Sequence, residues 1–132
     1  MANKIINPPQ LAKPVGFAYA VECHGKLLFL GGATGQDASG KIRVEGDLVA
    51  QFEDSIANIC HVVKEAGGSP EDVVKLTYFV KDRDDYLAKR KDIGAAYRKY
   101  FGKHYPAQSL FGVTALWDEE ALIEIEAIAC VP

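Results

Sequence analysis

Two glutamates, Glu124 and Glu126, stand two residues apart in the closing run 122–131. Side chains alternate along an extended strand, so Leu122, Glu124, Glu126, Ile128 and Cys130 share one face. Two carboxylates thus sit on a stripe that is otherwise apolar. A carboxylate drawn out of water costs several kcal/mol unless it is paired, hydrogen-bonded or protonated. A partly solvated face is one account of the stripe. The other is a cleft in which a glutamate positions a proton or a water. Periodicity alone leaves both open.

Other side chains carry weaker signals. Cys23, Cys60 and Cys130 are odd in number and widely spaced, which argues against a disulfide framework and against zinc. No His or Lys is placed in sequence to activate Cys130, which reads as a packing thiol. His61 falls off the apolar stripe of its helix and reads as solvated, and His104 as a loop histidine. Trp117 fits either the flank of a cleft or a cover over a sheet edge. The segment GGATG, with Gly31, Gly32 and Gly35, lacks the Lys of a phosphate loop and the spacing of a dinucleotide fingerprint. It reads as backbone shaping at a strand end.

The elements that must position these groups follow from periodicity. Residues 1–14, with Pro8, Pro9 and Pro14, read as an irregular lead-in. Apolar runs 17–23 and 27–30, broken by His24, Gly25 and Lys26, predict a β-hairpin. A short strand is expected at 41–44. Asp47 caps a helix to about residue 66, with Leu48, Phe52, Ile56, Ile59, Val63 and Ala66 as its core stripe and Gly67-Gly68 as its stop. Ser69-Pro70-Glu71-Asp72 starts a single helical turn. VVKLTYFV, residues 73–80, is a strand with Leu76, Tyr78 and Val80 on one face and Lys75, Thr77 and Phe79 on the other. One of Asp82, Asp84 and Asp85 caps a second helix to about residue 101, and Gly102 ends it. Strands at 108–116 and 122–131 close the chain, joined by Asp118, Glu119 and Glu120.

This order predicts an α+β fold, a mixed sheet with two helices on one face, in a single domain spanning 1–132. The uncovered face, with Phe79 and the 122–130 stripe, is too apolar for water, so association through the sheet follows. The 132 residues carry a net charge of −3, and their Lys and Arg are mixed with acids. Neither nucleic acid nor an anionic membrane is an indicated partner. With no signal-like N-terminal run and reduced cysteines as the default, a soluble cytoplasmic protein is expected.

Several segments together resemble the RidA/YjgF family, also called L-PSP endoribonuclease-like proteins. They are GFAYAVECHGKLLFLGG, KEAGG, SPEDVVKLTYFVKDRDDY, YFGKHYPAQS and IEIEAIA, in matching order and spacing. The resemblance implies a chorismate-mutase-like fold, a homotrimer with clefts between subunits, and hydrolysis of reactive enamines and imines without metal or cofactor. It places the water-holding glutamate on Glu126, an aromatic cover on Phe17 and cleft-lining backbone on Gly31 and Gly32. The family's carboxylate-gripping arginine, in a P-A-R-S pattern, falls on Gln108, followed by Ser109. Glutamine offers no charge and no guanidinium fork, a loss of about 2–4 kcal/mol toward a carboxylate. Two readings follow. One is a deaminase-like hydrolase of a small molecule with atypical recognition. The other is a non-catalytic small-molecule-binding trimer, a sensor or chaperone-like surface.

Overall fold

The computed structural model describes residues 2–132. Its main sheet has four strands: β3 (Lys26–Ala33), β4 (Val73–Val80), β5 (Ala107–Gly112) and β6 (Ile123–Val131), in the order β3-β6-β4-β5. β6 runs antiparallel to both β3 and β4, and β5 runs parallel to β4. The sheet is therefore mixed, as expected. The closing strands β5 and β6 are not neighbours, because β4 lies between them.

Helix α1 (Leu48–Glu65) begins where predicted: the Asp47 carboxylate accepts from the Ala50 amide at 3.0 Å. Leu48, Phe52, Ile56, Ile59 and Val63 are all buried against the sheet. Each large side chain buried in this way contributes about 1.5–3 kcal/mol. At its end Gly67 takes φ 86°, and the Gly68 amide returns to the Val63 carbonyl at 2.9 Å. The single turn Pro70–Asp72 is capped by Ser69, whose own amide donates to Asp72 at 2.8 Å.

The second helix divides into α2 (Arg83–Ala88) and α3 (Arg90–Phe101). At the junction the Lys89 amide is shared between the Asp85 and Tyr86 carbonyls, 3.1 Å from each, which tightens the turn. Ile93, Ala96, Tyr97 and Phe101 face the core, and both α1 and α3 lie on one face of the sheet.

The N-terminal third departs from expectation. Residues 4–6 are not irregular: β1 (Lys4–Ile6) pairs antiparallel with β2 (Ala20–Glu22). That pairing replaces the predicted hairpin, since β3 pairs with β6 instead. Asn3 explains the corner. Its side-chain oxygen accepts from the His24 amide at 2.8 Å and its nitrogen donates to the Cys130 carbonyl at 3.2 Å. The expected strand at 41–44 reduces to one bridge between Gln36 and Ile42, because Asp37 takes the amides of Ser39 and Lys41 into a tight turn. β5 stops at Gly112 rather than at 116. Its partner β4 ends at Val80, beyond which Asp82 starts a helix.

Candidate functional site

The uncovered face of the sheet can be read row by row from the register. Phe111, Phe79 and Glu124 form one row across β5, β4 and β6. Ser109, Thr77 and Glu126 form the next, and Ala107, Lys75, Ile128 and Phe29 the third. The two carboxylates do share this face, and apolar side chains do surround them. Phe29 is 71% exposed and Phe111 53%, while Phe79 stacks on Phe111 at 6.0 Å.

A bulge in β3 gives the site its shape. Leu30 pairs with Ala127 and Ala33 with Ile125, so Gly31 and Gly32 together oppose the single residue Glu126. The Glu124 carboxylate lies over Gly32 in the space a side chain there would occupy, so any larger residue must push Glu124 aside. Glu124 is half-buried by this contact, and Glu126 is exposed. A hollow of about 160 Å³ beside Glu126 is walled by Phe29, Lys75, Thr77 and Ile128. The Lys75 ammonium donates to the Ser109 hydroxyl at 2.9 Å. Sequence reasoning put Lys75 on this face but gave it no role, although alternation already set a cation beside the carboxylate stripe.

Gln108 stands elsewhere. It aligns with Leu76, a core residue, so its side chain turns toward the helices and away from Glu126. Its amide oxygen accepts from the Tyr78 hydroxyl at 2.7 Å. Its nitrogen donates to the Gly16 carbonyl at 3.0 Å and to the Tyr97 hydroxyl at 3.2 Å. Both donor hydrogens are thereby used. This network ties the segment before β2 to the outer edge of β5, where Ala18 bridges Ala107. Burial pushes Tyr86 up to about 12 and raises Tyr78 and Tyr97 as well, so these hydroxyls stay protonated donors.

Phe17 is likewise not beside Glu126. It packs edge-on against Tyr19 at 5.2 Å and lines a hollow of about 660 Å³ with Pro8, Lys103 and Tyr105. A separate cavity of about 400 Å³ lies where Gln108 faces α3, bounded by Tyr86, Tyr97, Arg90 and Arg98. The structure thus brings Gly31, Gly32, Ser109 and Glu126 onto one face and leaves Gln108 and Phe17 outside that group.

The remaining candidates resolve simply. His61 is exposed. The His104 ring is no free loop group: its Nε2 donates to the Val73 carbonyl at 2.8 Å. Trp117, 98% exposed, covers nothing within the chain. Cys130 is buried, and partial burial together with a hydrogen bond to Cys130 raises the Cys23 thiol. Among the described residues no cluster of His, Cys, Asp and Glu could hold a metal ion, and no helix is long and apolar enough to cross a membrane.

Comparison with known proteins bears on this arrangement. The family model described as Endoribonuclease L-PSP matches residues 10–131. A RutC family protein of Pyrococcus abyssi is 36% identical over 98% of each chain. A 2-iminobutanoate/2-iminopropanoate deaminase of Dermatophagoides farinae is 29% identical, over 98% of this chain and 97% of its own. The crystal structure of a conserved Rid-family protein from Yersinia pestis superposes with a TM-score of 0.89 at 36% identity, covering 99% of this chain and 100% of that one. With the order of its strands, the open carboxylate-bearing face and these full-length matches together, the chain belongs to the Endoribonuclease L-PSP, or RidA/YjgF, family.

Proposed function

We propose that the protein hydrolyses small reactive imines or enamines to carbonyl compounds and ammonia, in a cleft completed between copies of the chain. One observation carries the reading: Glu126 faces the Gly31–Gly32 bulge on an open, largely apolar sheet face, while Gln108 looks into a cavity on the opposite face. A single chain cannot apply both groups to one small molecule. A second copy seated on the open face, as in the homotrimer the resemblance implies, brings the two halves together and covers Phe29 and Phe111. The deaminase among the relatives supports the reaction type.

The chemistry needs one carboxylate and one water. Water adds to the carbon of the C=N bond while Glu126 takes its proton and passes it to the nitrogen, leaving a carbinolamine. The carbinolamine hydroxyl then gives up its proton through the same carboxylate to the amine nitrogen. The C–N bond breaks, ammonia leaves and a C=O bond forms. Glu124, half-buried over Gly32, is the rival for this proton-carrying role, because it stands on the same face one row away.

The test is ammonia release from freshly generated 2-iminopropionate, with wild type beside Glu126→Gln and Glu124→Gln. Release that collapses in Glu126→Gln supports the assignment, and a larger loss in Glu124→Gln moves the base two residues back. Silence in the wild type refutes hydrolysis of this substrate. It would favour binding without turnover, a reading suggested by the engagement of the Gln108 amide with Tyr78, Tyr97 and Gly16.

A further inference from the structure

The cavity that Gln108 closes holds two arginines and no acid. Arg90 and Arg98 lie one above and one below Gly94 on α3, four residues to either side, so all three share a helix face. Among the described residues, neither arginine takes part in a salt bridge, whereas Arg43 and Arg83 do. No Asp or Glu lines the cavity. Its positive charge is therefore uncompensated by the protein.

Gly94 supplies the second observation. Glycine inside a helix is unfavourable, and Gly94 has no positive φ to account for it. A Cβ built there would meet the Arg98 Nη1 at 3.2 Å, tighter than ordinary van der Waals contact. The missing side chain leaves room for the Arg98 guanidinium to fold back along α3 toward the cavity. Arginine at the entrance and aromatic rings within form a graded surface. Tyr97 stacks on Phe101 at 4.9 Å and on Tyr105 at 5.2 Å, and Tyr86 also lines the cavity, so its walls offer ring edges and hydroxyls.

We infer that Arg98, assisted by Arg90, is the carboxylate-gripping group of this cavity, and that its preferred ligands are 2-oxo or 2-imino acids with an aromatic body. The inference rests on the reading above only in taking this cavity as the recognition half of the site. The carboxylate meets a charged fork on α3 instead of one on β5, a shift that answers the neutral Gln108. At about 400 Å³ the cavity falls in the range of small-molecule sites and offers more room than a three-carbon acid fills. The tyrosine walls favour an aromatic ring in that space.

Binding can be read without turnover. Titration calorimetry with phenylpyruvate, pyruvate and the neutral phenylacetone on the intact protein is the experiment. Phenylpyruvate is expected to bind at least about tenfold more tightly than either of the others and to weaken as salt rises. Arg98→Gln should lose about tenfold or more. Gly94→Ala should lose affinity while raising thermal stability, which separates displacement of the guanidinium from damage to the fold. Phenylpyruvate affinity unchanged in Arg98→Gln, or equal binding of phenylacetone, overturns the inference. Ammonia release tests the other claim separately: Arg98-dependent binding without turnover keeps this inference and sinks the hydrolase, and turnover indifferent to Arg98 does the reverse.

Discussion

Gln108 and Glu126 flank the same strand, β4, from its two sides, yet their side chains leave the sheet in opposite directions. Gln108 is in register with Leu76 and Glu126 with Thr77, one residue further along. A shift of one residue reverses the face. Both groups that the family resemblance assigns to one cleft are therefore separated, within a chain, by the thickness of the sheet.

Replacing either glutamate distinguishes their roles. Glu126→Gln should lower imine hydrolysis about a hundredfold or more, the scale of a lost general base, with little change in stability because the residue is exposed. Glu124→Gln should cost less in rate. Steady-state ammonia release alongside thermal melting checks both.

Gln108→Arg separates charge from structure. Arginine has five donors and no acceptor, so the Tyr78 hydroxyl, on a residue 3% exposed, loses its acceptor. The cost is about 1–3 kcal/mol of stability. Hydrolysis of 2-iminopropionate should nevertheless rise, since the new guanidinium adds a second fork beside that of Arg98. Urea unfolding beside the ammonia assay checks the loss of stability and the gain in rate separately.

Gln51 is a structural pin with no catalytic claim. It is fully buried, its nitrogen donates to the Val44 and Glu120 carbonyls at 3.1 Å each, and its oxygen accepts from the Leu122 amide at 2.8 Å. Gln51→Leu strands three backbone groups, one before α1 and two at the entry to β6, and should cost about 3 kcal/mol. Chemical denaturation gives the value directly.

Alkali should unfold the protein through its tyrosines. Burial holds Tyr86 at about 12 against an ordinary value of 10.0, and also raises Tyr78 and Tyr97. Below pH 10.0 both folded and unfolded chains keep these protons, and the stability they allow is complete. Above it the unfolded chain releases them first, so the folded state loses ground as pH climbs toward the folded value. Melting temperature should fall over that interval, with phenolate absorbance appearing together with unfolding.

Cys60 should resist alkylation. Burial pushes its thiol up to about 11, so at about pH 8 roughly one molecule in a thousand carries the thiolate. Iodoacetamide labelling followed by mass analysis should show Cys60 modified only after denaturation.

What could be read from the sequence was local. The stripe from Leu48 to Val63, the Asp47 cap and the alternation of 73–80 each depend on neighbours within a few residues, and the structure has all three. The face shared by Glu124 and Glu126 is local in the same sense. Where a partner lies far along the chain, the signal fades. Asn3 redirects the backbone at His24, and no spacing rule links them. The side to which Gln108 turns depends on its pairing with Leu76, thirty-odd residues earlier. Lys75 and Arg98 were visible as residues, but their roles needed the neighbours that only folding supplies.

The hydrogen bond from Gln108 to the Gly16 carbonyl joins the cavity beside α3 to a strap of chain whose next residue outward, Val15, is 87% exposed. A ligand that drew the amide to itself would loosen the strap at this point, and the intact bond would disfavour that ligand by the same free energy. Occupancy of the cavity would thereby be reported at the surface of the molecule. Hydrogen exchange at the Ala18 amide, which donates to the Pro106 carbonyl at 3.0 Å, would act as its readout, fast when the cavity is filled and slow when it is empty.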